Sequence, residues 1–191
     1  MAAASRAQRS KRAPVSRRLA LALIAASLLA ASPAAGLAGE ATVGEYQVKA
    51  AFLKNFVKFV EWPPQTAGTL TLCVLGDDPF KDALKDTDDA GGGRSLAYRR
   101  IAGIGEAAGC QAVFVTAGQR KALPEIVAAL EGKPVLTIGD GESMAGAGLM
   151  LSFLIEDQKV RFEANLAPAR RAGLTVSSRL LGLAKTVHNP R

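Results

Sequence analysis

The first strong pattern of hydrophobic and polar positions predicts a helix over residues 45–60. At 100° per residue, polar side chains fall on one narrow stripe and bulky apolar side chains cover the broad opposite face. Pro63 and Pro64 end this pattern. The apolar face comprises Val48, Phe52, Leu53, Phe56, Val57, Phe59 and Val60.

Short apolar runs after this helix predict strands that are covered on both faces. They span residues 69–76, 95–101, 111–118 and 134–140. A helix is predicted over 120–131, ending at Gly132. A shorter one is predicted from Asp78, as the N-cap before Pro79, to about Lys85.

The last third of the chain predicts a β-hairpin followed by two helices. Two β-rich runs, 148–156 and 159–166, flank the turn residues Asp157 and Gln158. A short helix is predicted over 168–172 and a final one over 177–187. Alternating strands and helices followed by a hairpin predict a single α/β domain. We expect a sandwich with a mainly parallel sheet, an antiparallel C-terminal hairpin and helices on both faces.

The N-terminal pattern is typical of a cleaved signal peptide. A basic leader precedes an apolar run that starts at Leu19, and small residues follow. We expect cleavage after Ala38, with Ala34 as an alternative. A retained anchor is the competing interpretation, but the densest apolar part, 19–31, is shorter than the ~20 residues that span a bilayer.

The expected domain organisation follows from this cleavage, which accompanies export of the protein. Residues 1–38 are the signal peptide, and 39–44 form a short linker. Residues 45–187 form the α/β domain, and 188–191 form a tail.

Removal of the leader changes the charge of the protein. The full chain has 24 Lys and Arg against 17 Asp and Glu, a net charge of +7. The leader holds six of the basic residues and none of the acidic ones, which leaves 18 against 17, or +1, on the mature chain. The high overall charge therefore gives no reason to expect a nucleic-acid partner. The six are Arg6, Arg9, Lys11, Arg12, Arg17 and Arg18.

The reactive side chains of the exported part argue for a structural disulfide and against an enzyme. Its two cysteines, Cys73 and Cys110, are expected to form a disulfide in an oxidising compartment, with two buried thiols as the alternative.

The only histidine, His188, lies three residues from the end, which argues against a Ser-His-Asp or Cys-His arrangement. We expect no metal or cofactor.

An aspartate pair and a lysine leave two questions open. Asp77 and Asp78 follow a strand, where carboxylates can bind a metal or act as acid and base, but Pro79 beside them favours a turn and helix cap instead. Lys49 lies in the apolar arc of the first helix. Its amine either reaches water along the helix surface or is buried against a carboxylate, for which Glu163 is the candidate.

Several stretches, taken in order, resemble the YfiR-like family of exported bacterial proteins. They are YQVKAAFLKNFVKFVEWP, LCVLGDDPF, GRSLAYRRI, CQAVFVTAGQ, GKPVLTIGD and VRFEANLAPARRAGLTVSSRLLGLAKTV, which together run from about residue 46 to residue 187. The first and last of these motifs are specific, whereas the middle ones are ordinary α/β sequence.

This resemblance implies a non-catalytic periplasmic regulator that works by binding. The expected partner is the periplasmic sensor domain of an inner-membrane diguanylate cyclase, or another sensor, with lower cyclic-di-GMP and biofilm output as the result. An outer-membrane lipoprotein is a further expected partner, and a homodimer is an alternative assembly. The chain lacks the second cysteine pair known in the family, so redox switching that depends on that pair is not implied. The alternative is a small-molecule-binding module that reports to a sensor kinase or transporter.

The C-terminal motif supplies the candidate partner-binding residues. In VRFEANL, alternation places Arg161, Glu163 and Asn165 on one face of a strand. Two basic residues follow in the next helix. The candidates are Arg161, Asn165, Arg170 and Arg171.

Overall fold

The computed structural model describes residues 37–64, 68–85 and 94–189, with side chains from residue 44 onward. All but the last two residues of the expected signal peptide lie outside this range, as does the loop at residues 86–93. Within the described ranges, no helix is long and apolar enough to cross a membrane.

The helices and strands follow the predicted alternation along the chain. Two 3-10 helices, Ile104–Ala107 and Ala117–Ala122, accompany the α-helices, and the second of them leads directly into α2. The α-helices are α1 Leu37–Lys58, α2 Leu123–Leu130, α3 Leu166–Arg171 and α4 Ser178–Leu181. The strands are β1 Val60–Glu61, β2 Leu70–Leu75, β3 Leu96–Ile101, β4 Ala112–Val115, β5 Leu136–Asp140, β6 Leu151–Glu156, β7 Lys159–Asn165, β8 Thr175–Val176 and β9 Thr186–His188.

Seven of these strands form one mainly parallel sheet in the order β3-β2-β4-β5-β6-β7-β9. The neighbours from β3 to β6 pair in parallel, and β7 pairs antiparallel with β6 as the predicted hairpin. Strands β1 and β8 form a separate antiparallel pair. The predicted fold class, a mixed α/β domain with an antiparallel C-terminal hairpin, is therefore confirmed.

The sheet is covered on both faces, because successive side chains of a strand point to opposite sides. On β2, Leu72 and Val74 join the core cluster that contains α1, whereas Cys73 and Leu75 join the cluster that contains α2. This double burial explains why the central strands are continuous apolar runs in the sequence.

Three predicted elements differ from the structure near their ends. Helix α1 begins at Leu37, so the expected linker at 39–44 is helical. Its sequence, GEATVG, has two glycines and four residues that a helix accommodates better than glycine. The helix predicted after Asp78 is absent, and residues 81–85 form turns instead. The last predicted helix ends at Leu181, before Gly182, and the end of its predicted range belongs to the strand β9.

Strand β9 forms where a helix and a tail were predicted. Its residues pair in parallel with β7, with Asn165 opposite His188. Without β9, this edge of β7 would present unpaired backbone donors and acceptors, which need partners wherever they are buried. Thr186 and Val187 are β-branched and suit a strand better than a helix.

The disulfide that the sequence predicted joins Cys73 on β2 to Cys110, just before β4. Cys73 is fully buried and Cys110 is 3 % exposed, on the α2 side of the sheet. The bridge closes a loop with a sequence separation of 37 residues, and that loop contains β3 and the first 3-10 helix.

We predict that replacing both cysteines, as Cys73→Ala with Cys110→Ala, lowers the free energy of unfolding by ~3–4 kcal/mol, because the unfolded chain is no longer cross-linked. Urea denaturation of the oxidised protein and of the variant measures this difference. Wild-type protein kept under reductant is the control and should match the variant. A loss below ~1 kcal/mol would contradict the prediction.

Candidate functional site

Lys49 is the centre of a buried polar cluster between α1 and the end of β5. The residue is only 4 % exposed, so its amine does not reach water along the helix surface. Its Nζ donates to Asp140 Oδ1 at 2.5 Å and to Glu45, one helical turn earlier. Tyr46 Oη donates to the other oxygen of Asp140 at 2.8 Å, and the amine lies 4.6 Å from the centre of the Tyr46 ring.

The carboxylates that meet Lys49 are Asp140 and Glu45, so the predicted pairing with Glu163 is wrong. On β7, Phe162 packs against Phe56 of α1, with ring centres 4.9 Å apart. The next residue, Glu163, therefore points to the opposite face of the sheet, away from α1. There the Glu163 carboxylate lies 3.5 Å from the hydroxyl of Ser152.

Asp140 is the residue of this cluster that the sequence analysis missed. It ends the run LTIGD, in which Leu136, Ile138 and Asp140 alternate onto the face that α1 covers. The residue is 5 % exposed. The same alternation along LTIGD could have placed a carboxylate under the first helix, but only if the position of that helix over the sheet were known. The Gly-rich segment that follows forms turns from residue 142 to residue 148.

The cluster is stable only because each of its charged groups has a partner. Moving an ammonium and a carboxylate out of water is costly, and their attraction offsets this cost only with good geometry and further hydrogen bonds. Tyr46 supplies one such bond and Glu45 a second carboxylate. Burial, then the hydrogen bond and charge of Asp140, and then the charge of Glu45 raise the pKa of Tyr46 well above its ordinary value. The phenol therefore remains a hydrogen-bond donor.

A second polar contact forms at the end of β2 around Asp78. Its Oδ1 accepts from the backbone N–H of Phe80 at 2.9 Å, which shapes a turn rather than a helix. Its Oδ2 accepts from Tyr98 Oη and lies 4.0 Å from Nε of Arg100. Burial and the bond to Asp78 raise the pKa of Tyr98 well above its ordinary value. The Asp78 oxygens are thus occupied by structural hydrogen bonds.

No group of three or more His, Cys, Asp or Glu side chains in the described ranges is arranged to hold a metal ion. Asp77 is exposed beside the buried carboxyl group of Asp78. The described side chains around these two aspartates therefore favour the turn interpretation over a metal or acid–base pair.

Of the four candidate partner-binding residues, three contact other parts of the same chain. Asn165 caps α3 by accepting from Ala167 N, and its amide donates to the backbone oxygen of Ala145. Arg170 donates to Asn189 Oδ1 at 2.5 Å. Arg171 forms an exposed ion pair with Glu131 at 3.4 Å.

Arg161, the fourth candidate, has a different environment. It is exposed on β7 near the hairpin turn, and no described residue forms an ion pair with it. Of the candidate cations, it is the one whose charge remains available to a partner.

We predict that Asp140→Ala lowers the free energy of unfolding by about 3–5 kcal/mol, because it leaves the buried ammonium of Lys49 without its main partner. Urea denaturation provides the measurement. Glu163→Gln is the matched control, since it removes a carboxylate from the other face of the sheet and should cost less than about 1 kcal/mol. Equal losses in the two variants would contradict the assignment of Asp140.

We predict that neither of the chain's two tyrosines ionises in the folded protein near pH 10.0, their ordinary pKa. The pKa of each tyrosine is higher in the folded state than in the unfolded state. The stability that its neutral phenol contributes is therefore complete below the unfolded pKa and is lost as the pH rises through the folded pKa. Tyrosinate absorbance should therefore rise together with alkaline unfolding, followed by circular dichroism. In each of the variants Tyr46→Phe and Tyr98→Phe, the one remaining tyrosine should also ionise only as the protein unfolds. Tyrosinate formation in a sample that is still folded would contradict the prediction.

Comparisons with known proteins show which fold and family this architecture represents. Two solved structures each match with a TM-score of 0.50: the ABC domain in complex with L-Trp from Streptococcus pneumonia, and a conserved domain protein from Vibrio cholerae O1 biovar El Tor strain N16961. The matches have 12 % and 10 % identity and cover 75 % and 74 % of this chain. This chain spans 60 % of the length of each, and at these identities the likeness concerns the fold alone.

The family assignment comes from the sequence of the domain itself. The profile of the YfiR/HmsC-like family matches residues 46–185, which include α1 from Tyr46 onward, Lys49 and Asp140, the disulfide and the hairpin. The match covers well over half of the chain and nearly the whole described domain. The protein therefore belongs to the YfiR/HmsC-like family.

Proposed function

We propose that this protein is a periplasmic regulator that binds the periplasmic sensor domain of an inner-membrane diguanylate cyclase and holds the cyclase inactive. The observation that carries this proposal is the family match over residues 46–185. Membership in the YfiR/HmsC-like family suggests a periplasmic regulator. That its partner is a diguanylate cyclase is the more specific part of the proposal. The expected result of binding is a lower level of cyclic-di-GMP and less biofilm.

Such a regulator needs differential binding and no chemical step. It shifts the equilibrium of its partner only if it binds the inactive state more tightly than the active one. Each tenfold shift requires about 1.4 kcal/mol of difference in binding free energy. A sheet buried on both faces and cross-linked by Cys73–Cys110 suits this role, because a rigid surface loses little conformational entropy on binding.

We predict that deleting the gene for this protein raises cyclic-di-GMP in its native bacterium, because the cyclase loses its inhibitor. Mass spectrometry of cell extracts measures the nucleotide, and a plasmid copy of the gene should restore the low level. A strain that lacks both this gene and the cyclase gene is the control and should remain low. Unchanged nucleotide in the single deletion, with the cyclase present in the membrane, would contradict the cyclase proposal.

The second candidate, a small-molecule-binding module, has one observation in its favour. A cavity of 340 Å³ adjoins the carboxyl ends of the parallel strands, where α/β folds commonly bind ligands, and it is lined by Tyr46, Pro79 and Phe80 among others. The Streptococcus pneumonia neighbour was solved with L-Trp. A rise of Tm with added L-Trp would favour this second function.

A further inference from the structure

The C-terminal strand β9 contains a buried nitrogen that has no bonding partner. Among the described side chains, Nε2 of His188 is the one nitrogen or oxygen atom that is buried without a hydrogen bond, while the ring as a whole is half-buried. Buried polar groups of folded proteins nearly always have a partner, so an exception needs a physical explanation. His188 is also the only histidine of the chain. Histidine is the side chain that ordinarily changes its charge between about pH 5 and 8.

The register of the sheet places this ring beside β7. Strand β9 pairs in parallel with β7, and His188 is the partner of Asn165. Side chains of paired residues project from the same face of a sheet, so the ring lies with Asn165 and Glu163 on the face opposite α1. Both polar atoms of the Asn165 side chain are engaged elsewhere, since its oxygen caps α3 and its nitrogen donates to Ala145 O. Asn165 therefore leaves Nε2 without a partner.

No carboxylate of the described chain bonds to this nitrogen. On β7, Glu163 is the acidic residue of the same face, and its Oε2 lies 3.5 Å from the hydroxyl of Ser152. Helix α3, which also packs against β9, has the sequence LAPARR and no acidic residue. Glu142, in the turns before β6, is exposed. Glu163 would attract a charged ring, but a proton added to the buried Nε2 finds no acceptor in the docked strand.

The cations near β9 do not favour a charged ring either. Lys185, which leads into the strand, forms an ion pair with Glu156 at 2.6 Å. Arg170 of α3 donates to Asn189, the residue that follows His188. Like charges close to an ionisable group disfavour its positively charged form.

Protonation of His188 therefore costs more in the docked strand than in a released one. A neutral imidazole can carry its proton on Nδ1 and keep only a lone pair at Nε2, whereas both nitrogens of the cation are donors. A buried donor without an acceptor loses its bonds to water and gains none. In a released strand Nε2 faces water. The docked strand is thus favoured above the pH at which His188 titrates, and this preference is lost as the pH falls.

The contacts that hold β9 are few, so this cost can release the strand. Strand β9 has only three residues. The side chains of the Lys185–Glu156 ion pair are 37 % and 40 % exposed, and exposed ion pairs contribute little to stability. The contact of Arg170 with Asn189 is exposed as well. Short segments with exposed hydrogen bonds open more readily than the core.

We propose that β9 is a pH-dependent latch, which is docked on β7 when His188 is neutral and released when His188 is protonated. This inference goes beyond the proposed function and does not depend on the identity of the partner. Release opens the outer edge of β7, and an open strand edge can pair with an extended segment of another protein. The pH thus controls whether this edge is available.

We predict that the backbone amide of Lys185 loses protection from hydrogen exchange as the pH falls. This amide donates to Phe162 O at 2.8 Å, where β9 meets β7. NMR of the purified exported protein gives its protection factor, which is the exchange rate of an unfolded chain divided by the measured rate at the same pH. The factor should fall about tenfold between about pH 8 and about pH 5, because a buried donor without an acceptor costs roughly one such step.

Two further signals in the same sample test the assignment. The amide of Asn165 donates to Met150 O at 2.7 Å, away from β9, so its protection should remain nearly constant. The ring signals of His188, the only histidine, report its protonation directly, and the loss of protection should follow them. Constant protection of the Lys185 amide in a sample whose His188 is protonated would overturn the proposal.

Neutral variants provide the matched control. His188→Gln and His188→Asn keep a polar side chain at this position but gain no proton in this range. Each variant that protects the Lys185 amide at the higher pH should also protect it at the lower pH. Glu156 and Glu163 remain in these variants, so an equal fall there would assign the response to the carboxylates and overturn the role of His188. If neither variant docks β9 at the higher pH, the comparison within the wild-type sample decides.

Discussion

The rest of the architecture depends on the burial of Lys49 against Asp140. A buried ammonium without a carboxylate partner is too costly for a domain of ordinary stability, so α1 must lie where Lys49, in its middle, reaches the end of β5. This placement sets the position of the residues that follow along the helix. Phe52 and Phe56 then cover the hairpin, and Val48 is left at the rim.

The same constraint separates structural polar residues from those that face a partner. Asn165, Arg170 and Arg171 are conspicuous in the C-terminal motif, yet in the folded chain they cap a helix, contact the C-terminal segment and pair with the C-cap residue of α2, respectively. Arg161, from the same motif, is exposed on β7 near the hairpin turn and forms no ion pair with any residue in the described part of the chain.

Much of the fold could be predicted from the sequence because its signals are local. Apolar runs indicated the buried strands, Asp157 and Gln158 marked the hairpin turn, and two cysteines in an exported chain indicated their bridge. The prediction of a helix after Asp78 was wrong. The Asp78 side chain accepts a hydrogen bond from the backbone of Phe80, which forms a turn, and a second one from Tyr98 on a neighbouring strand. The final helix was predicted too long because the residues after it form β9, which pairs with the outer edge of β7. No local sequence pattern indicates this contact between distant segments.

By itself, the sequence determined the alternation of elements, the disulfide and membership in a family, because each depends on residue types at short spacings or on a long motif match. Only the tertiary structure decided that Lys49 meets Asp140 rather than Glu163. The side on which each carboxylate lies follows from strand alternation combined with the position of α1 above the sheet. It also decided that Val48 and Ile155 are exposed, because exposure is a property of how distant segments pack against one another.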